Sequence, residues 1–211
     1  MNYKIFDKEL YVNINDEEYK FDYKIKKEGD IVKILFISDI HGIATNLNVI
    51  EKKIRNEKID KLVCLGDLYY AGPSYDNKYE INSKKVFEFL TKHQDKLICM
   101  MGNCDSTVDI KASDFPICSG VSLINTDGLD IYITHGNEYS FEKNRKFNHK
   151  GILVYGHEHI PFIKKDKDMT YINVGSISLP RNNYAPTYAI YENKTITIYD
   201  INDNIIENIN L

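Results

Sequence analysis

Apolar residues along this chain follow two rhythms, and the change from one to the other falls near residue 31. Before it, Leu10, Val12 and Ile14 alternate with polar neighbours, as do Tyr19, Phe21, Tyr23 and Ile25. Asn15-Asp16-Glu17-Glu18 lies between the two runs as a turn-like cluster, and Glu28-Gly29-Asp30 ends the pattern. A period of two marks a strand with one buried face, so residues 1–30 predict an N-terminal β-hairpin.

From residue 31 the runs become nearly continuous. IVKILFIS (31–38), KLVCLG (61–66) and KLICMMG (96–102) read as strands covered on both faces. Between them, Ala44, Leu47, Ile50 and Ile54 recur at helical spacing. Val86, Phe87 and Leu90 form a second stripe that Ser83 is placed to N-cap. Such alternation predicts parallel βαβ units. Beyond about residue 120 the helical period fades. VSLIN (121–125) and LDIYITH (129–135) flank Thr126-Asp127-Gly128 as a hairpin. GILVYG (151–156), MTYINVG (169–175), TYAIYE (187–192) and TITIYDI (195–201) continue as strands, the last two joined tightly through Asn193-Lys194.

Length and composition narrow the class. A chain of 211 residues accommodates one sizeable domain, residues 31–211, after the extension. A net charge of −4 gives no basis for nucleic-acid binding by bulk electrostatics. No apolar run approaches the ~20 residues that span a bilayer. The start, MNYKIFDKEL, carries no signal-peptide core, so a cytoplasmic protein without membrane association is expected. Cys64, Cys99, Cys104 and Cys118 include no C-x-x-C pair, which argues against a disulfide framework and a thiolate zinc site.

The chemistry collects where apolar runs stop. ILFIS runs into Asp39-Ile40-His41, LVCLG into Asp67, ICMMG into Asn103, IYIT into His135, and ILVYG into His157-Glu158-His159. Of the six His, only His93 and His149 lie elsewhere. Ligands of open α/β sheets bind beyond the carboxyl ends of strands. Two carboxylates, one amide oxygen and four imidazoles suit divalent ions such as Mn²⁺, Zn²⁺ or Fe²⁺. Seven donors exceed the four of a single zinc site and suit two ions sharing a carboxylate. Alternate residues of an extended segment face alike, so each D-x-H or H-x-H pair is expected on one side of its segment.

The ordered set D-x-H, GD, GN, HG, GHxH resembles the calcineurin-like metallophosphoesterase superfamily. IPF, NVGSISLPR and GNCDS are similar to its small bacterial YfcE-like phosphodiesterase branch, and the match spans about residues 32–201. The resemblance implies a four-layer α/β/β/α sandwich, to which the N-terminal β-hairpin is an addition. By motif position it implies Asp39, His41, Asp67 and His159 around one ion. Asp67, Asn103, His135 and His157 would surround a second, with Asp67 bridging. The implied cofactor is two divalent metal ions, Mn²⁺ foremost, with Zn²⁺, Fe²⁺, Ni²⁺ or Mg²⁺ as alternatives. The implied substrate is a small phosphate ester, hydrolysed as a diester by a hydroxide bridging the ions. Asp67, Asn103, Cys104 and His135 are then the catalytic positions, and no protein nucleophile is required.

Departures from the family pattern bear on substrate choice. Many members have His in GNH where this chain has Cys104, and that His is thought to protonate the leaving group. A thiol is protonated at pH 7 but is a poorer hydrogen-bonding acid than imidazolium. The other role for Cys104 is that of a small apolar filler. Without the His, aryl phosphodiesters, whose leaving groups need little proton help, are the expected substrates. Ala71 in GDLYYAGP and Asn137 in THGN replace two further His. Asp105 is expected to cap the segment that follows, the alternative being to orient a ligand His. Arg181 is either a phosphate contact or surface charge, and Arg145 and Lys146 read as surface charge. A phosphomonoesterase is an alternative of the same mechanism. A non-catalytic scaffold, like the retromer subunit of this fold, is an alternative of another class, which the seven filled positions oppose. A nuclease branch is opposed by the net charge. Residues 1–30 are open to extending a sheet, covering the site or forming a homo-oligomer contact, with sheet extension the default.

Overall fold

A computed structural model describes residues 2–6, 9–14, 17–22, 32–72, 80–142 and 149–211. The chain divides into two units, Met1–Ile31 and Val32–Leu211. In the first, β1 (Asn2–Phe6), β2 (Glu9–Ile14) and β3 (Glu17–Asp22) pair antiparallel in that order. Strands β2 and β3 correspond to the two alternating runs, registered from Ile14↔Glu17 to Glu9↔Asp22. Strand β1 is too short a run for its alternation to be distinguished in the sequence. Tyr23, Ile25, the Glu28-Gly29-Asp30 break, Arg145 and Lys146 lie outside the described residues.

In the second unit, β4 (Ile34–Ile37), β5 (Lys61–Cys64), β6 (Leu97–Met100) and β7 (Ile117–Cys118) run parallel. Helices α1 (Leu47–Asn56), α2 (Ser83–Lys92) and α3 (Thr107–Ala112) connect them. Strands β8 (Ser122–Thr126), β9 (Leu129–Ile133), β10 (Gly151–Tyr155), β11 (Pro161–Asp166) and β12 (Met169–Val174) form a second sheet, in the order β11-β12-β10-β9-β8. The chain then returns to the first sheet as β13 (Thr187–Glu192), β14 (Thr195–Asp200) and β15 (Ile205–Asn210), giving the order β15-β14-β13-β4-β5-β6-β7.

The pleat explains the continuous apolar runs. Leu35, Ile37, Leu62, Cys64 and Cys99 face outward, onto Leu47, Ile50 and Ile54 of α1 and Val86, Phe89 and Leu90 of α2. Their neighbours Ile34, Phe36, Val63, Leu65 and Met100 face inward, onto Ile131, Ile133, Ile152, Val154, Ile172 and Val174 of the second sheet. Both faces of the central strands are therefore dry, and no polar position is tolerated on either. On the far side of the second sheet, Leu153, Tyr155 and Met169 pack with Tyr132, Tyr139, Phe162 and Tyr171. Among the described residues no helix covers that face, so the fourth layer implied by the resemblance is, within those residues, non-helical chain carrying Tyr139.

Local details refine the expectations. Ser83 is the first residue of α2 rather than its cap: Asn82 accepts from the Lys85 amide at 3.0 Å, and Ser83 Oγ donates to the Tyr69 carbonyl at 2.8 Å. Phe89, not Phe87, completes the buried stripe with Val86 and Leu90, because i, i+3 and i+4 share a face. Ala44 precedes α1. The expected hairpin turn at Asp127-Gly128, with φ 53° and 75°, and the expected tight connection at Asn193-Lys194, with φ 50° and 58°, both use left-handed pairs, as two-residue turns matched to strand twist require. β7, β11 and β15 carry no period in the sequence. β7 spans two residues, and β15 is a largely exposed edge with Ile205 60% accessible. No described helix is long and apolar enough to cross a membrane.

Truncating the inter-sheet core is expected to be costly and truncating the sheet edge is not. Ile172→Ala, at a fully buried position, should lose about 2–5 kcal/mol of unfolding free energy. Leu123→Ala, at a position 54% exposed on β8, should lose no more than about 0.5 kcal/mol. Denaturant titration of both variants checks the contrast.

Candidate metal centre

Five parallel strand ends meet at one edge of the sandwich: those of β4, β5 and β6 from the first sheet and of β9 and β10 from the second. Asp39, His41, Asp67, His135 and His159 are buried there, His157 is half-buried and Asn103 is exposed. The expectation that D-x-H and H-x-H pairs project from extended segments does not hold. Asp39, His41, Asp67, His157 and His159 all adopt left-handed backbone, with φ of 55°, 50°, 56°, 65° and 59°. That region is sparsely populated for residues other than glycine and concentrates at functional sites. Here hydrogen bonds between loops hold it. The amides of Asp39, His41 and Gly42 donate to the carbonyls of Gly66, Asp67 and Leu68 at 3.1, 2.8 and 2.8 Å. The His157 amide donates to Asp39 Oδ2 at 2.9 Å, joining the two sheets.

The imidazoles are oriented by backbone carbonyls. Nδ1 of His41 meets Tyr70 O at 2.7 Å, Nδ1 of His135 meets Leu65 O at 2.8 Å, and Nδ1 of His159 meets Leu179 O at 2.6 Å. A carbonyl can only accept, so each Nδ1 carries a hydrogen and each neutral ring turns an Nε2 lone pair inward. The Nε2 atoms converge on one another and on carboxylate oxygens. His41 Nε2 lies 3.3 Å from His159 Nε2, and His159 Nε2 lies 3.2 Å from Asp39 Oδ1. Asp67 Oδ2 stands 3.6 Å from His41 Nε2 and 3.4 Å from His135 Nε2, while Asn103 Oδ1 lies 3.1 Å from His135 Nε2. The rings of His135 and His157 are 5.0 Å apart, edge to face.

This donor set fits a cation. Asp39 Oδ1 is buried and accepts no hydrogen bond, although burying a polar atom without a partner is costly. Among the described residues, three groups bring ligand atoms within 4.8 Å of one another: Asp39, His41 and His159; His41, Asp67 and Cys104; and Asp67, His135 and His157. The carboxylates and imidazoles shift each other's protonation. Burial opposes ionisation of Asp39, but His159 and His135 outweigh it and hold the carboxyl below its usual range. Asp67 is likewise held low against burial, by His135 and the Cys104 amide. Burial also works against charge on His135, yet Asp67 and Asp39 push it up to about 9. His159 is raised by Asp39 against the same opposition. Burial, and then the charge of Asp67, pushes the Cys104 thiol up to about 12, so it stays protonated at neutral pH.

A surrounding layer explains why Gly precedes several of the ligands. A Cβ on Gly102 would sit 2.1 Å from Asp67 Oδ1, and one on Gly156 would sit 1.9 Å from Ser38 Oγ and 2.5 Å from Asp39 Oδ2. Any side chain at these positions would enter the space the carboxylates occupy. Asp105 neither caps a helix nor orients a His. Ser106 caps α3 in a reciprocal box with Asp109, while Asp105 accepts from the amides of Asp67, Leu68 and Gly102 at 2.9, 2.7 and 2.8 Å. Asp105 thereby clamps the Asp67 and Asn103 loops together. Burial and the nearby Asp67 charge lift its pKa against the pull of those amides. Two supporting residues escaped the sequence reading. Asn173, fully buried in β12, donates to Gly156 O at 2.7 Å, and Ser176 Oγ donates to Asp39 O at 2.9 Å. Their signal is a lone polar residue closing an apolar strand, as in Tyr171-Ile172-Asn173-Val174.

Two face-to-face sheets whose shared strand ends gather histidines and carboxylates define the metallophosphoesterase fold. Residues 32–195 match the calcineurin-like phosphoesterase superfamily domain, and the chain belongs to that superfamily. It is 30% identical to phosphodiesterase YfcE of Escherichia coli (strain K12) over 176 residues, which cover 83% of this chain and 96% of that protein. The solved structure of YfcE, a phosphoesterase from E. coli, matches with a TM-score of 0.79 at 28% identity, covering 85% of this chain and 99% of that one. Vps29 of Entamoeba histolytica, solved in complex with Zn²⁺, shares the fold with a TM-score of 0.57 at 18% identity, over 84% of this chain and 98% of that one.

Cation uptake should release protons. With no ion bound, His135 titrates at about 9 and carries at pH 7 a proton that a metal must displace. Apparent affinity for Mn²⁺ or Zn²⁺ should therefore climb as pH rises from 6 toward 9. Calorimetric titration at pH 7 in two buffers of different ionisation enthalpy should show a net proton release. Equal heats in the two buffers would contradict the assignment.

Proposed function

We propose that the protein is a phosphodiesterase whose cage takes two divalent cations. Asp39, His41, Asp67 and His159 would hold one, and Asp67, Asn103, His135 and His157 the other. The observation that carries this reading is the place of Asp67, whose Oδ2 stands between His41 Nε2 at 3.6 Å and His135 Nε2 at 3.4 Å. One carboxylate oxygen facing both donor groups is what a shared ligand requires. When bound, such ions supply charge neutralisation for the phosphoryl oxygens and acidify water near neutral pH. Mn²⁺ is the first choice for a mixed imidazole–carboxylate–amide set, with Zn²⁺, Fe²⁺, Ni²⁺ and Mg²⁺ as competitors.

The chain's own residues do the positioning. The Cys104 amide holds Asp67 Oδ1 at 2.8 Å, which fixes the orientation of the shared carboxylate. Backbone carbonyls fix three of the imidazoles, so the cage is organised before substrate arrives. Arg181 is exposed and its amide donates to the His159 carbonyl at 3.0 Å, so its backbone lies beside the cage and its side chain is a candidate phosphate contact. Cys104 occupies the slot from which a His would protonate a leaving group. A thiol serves that role poorly, so aryl phosphodiesters, whose aryloxides leave unaided, are the favoured class.

A non-catalytic scaffold is the rival, supported by the fold shared with Vps29. Metal-stripped protein refilled with each ion in turn separates the two, assayed on aryl diesters, aryl monoesters and cyclic nucleotides. Hydrolysis of aryl diesters, strongest with Mn²⁺, supports the enzyme, and hydrolysis of nothing with any ion supports the scaffold. Asp67→Ala should lower metal content and cost more activity than the roughly 10–100-fold expected from losing an outer supporting residue. Cys104→His should raise the monoester rate relative to the diester rate; if neither rate moves, position 104 is not the proton-donor slot.

A further inference from the structure

Beside the cage, α2, α3 and the loop after β5 wall a cavity of about 600 Å³, within the range of small-molecule pockets. Tyr69, Tyr70 and Phe87 line it, with Cys104 where it meets the cage. Phe87 stands one position off the buried stripe of α2 and is only half-buried, so this ring faces the cavity instead of the core. The serine hydroxyls in the wall and that of Tyr69 are already engaged. Ser83 Oγ donates to Tyr69 O at 2.8 Å, Ser106 Oγ to Asp109 Oδ2 at 2.7 Å, and Ser113 Oγ to Asp109 O at 2.9 Å. The Tyr69 hydroxyl shares a 2.9 Å hydrogen bond with Ser113 Oγ. Lys84 and Asp109 also line the cavity, but the three rings are its largest apolar surfaces, and a planar aromatic group packs on them better than a sugar does.

Two residues tie this cavity to the cage. Cys104 lines it and also belongs to the donor group with His41 and Asp67. Tyr70 lines it and holds His41 Nδ1 through its carbonyl at 2.7 Å. The residue before Cys104 opens elsewhere. Asn103 lines a separate cavity of about 230 Å³ with Thr134 and Asn137. A phosphate held at the cage would thus have distinct room for each of its two ester substituents.

The geometry points to Phe87, Tyr69 and Tyr70 as a specificity pocket for a planar aromatic substituent of the phosphodiester. This assignment rests on the phosphodiesterase reading and names the substrate class within it.

Binding and turnover of the Mn²⁺-loaded protein test it. Phenylphosphonate should bind roughly tenfold more tightly than methylphosphonate, as calorimetry reads it. Phe87→Ala should bring that preference to within about twofold while leaving methylphosphonate affinity, metal content and melting temperature unchanged. It should raise KM for a diaryl diester by roughly five- to tenfold with little change in kcat. Phe87→Leu keeps bulk but removes the ring, and should lose most of the preference even if the alanine variant folds poorly. An unchanged preference in either folded variant, or an equal loss for both phosphonates, overturns the pocket while diester hydrolysis stands. If no phosphoester is hydrolysed with any ion, the phosphodiesterase reading falls and the pocket assignment with it.

Discussion

Lone pairs and negative charge are forced together at one buried point, and much of the second unit serves to hold them there. His41 and His159 bring Nε2 atoms to 3.3 Å of each other, and Asp39 Oδ1 lies among them without a hydrogen-bond donor. Groups of one polarity do not collect in a dry interior unless a cation or a proton sits between them. The raised imidazoles and depressed carboxyls express their mutual attraction. Any cation bound there would compete with the imidazole protons.

The architecture follows from that constraint. Strands of four residues, β4, β5 and β6, are long enough to bury both faces and short enough to deliver three loops carrying Asp39, His41, Asp67 and Asn103 to one edge. The second sheet brings two more loops to the same edge, and the inter-sheet core of Phe36, Val63, Ile133 and Val154 sets their separation. Left-handed backbone at five of the cage residues is tolerated because each loop is tied to its neighbour, most directly through Asp105 and through the His157 amide on Asp39. Glycine at 102 and 156 leaves room for the carboxylates to approach the backbone.

The loop from Gly102 to Asp105 concentrates several tasks in four residues. Gly102 yields space, Asn103 turns its oxygen to His135, the Cys104 amide fixes Asp67, and Asp105 clamps the neighbouring loop. The same loop separates a polar cavity from an aromatic one, with Asn103 lining the first and Cys104 the second.

The residue order alone determined the βαβ half and the β-rich half, and it picked out the Asp, His and Asn residues that the fold gathers at one edge. Continuous apolar runs ending in Asp, His or Asn leave few alternatives, because a dry strand can expose such groups only at its end. Strands β7, β11 and β15 stayed hidden, since two residues or an exposed edge carry no period. Only the tertiary structure decided that the D-x-H and H-x-H pairs project from left-handed turns, that Asp105 clamps loops, and that Phe87 faces a cavity while Phe89 enters the core. Each of these depends on contacts between segments distant along the chain. Burial periodicity is a local property that a sequence carries in plain view, whereas the direction a side chain takes beyond a strand end is set by whichever loop packs against it.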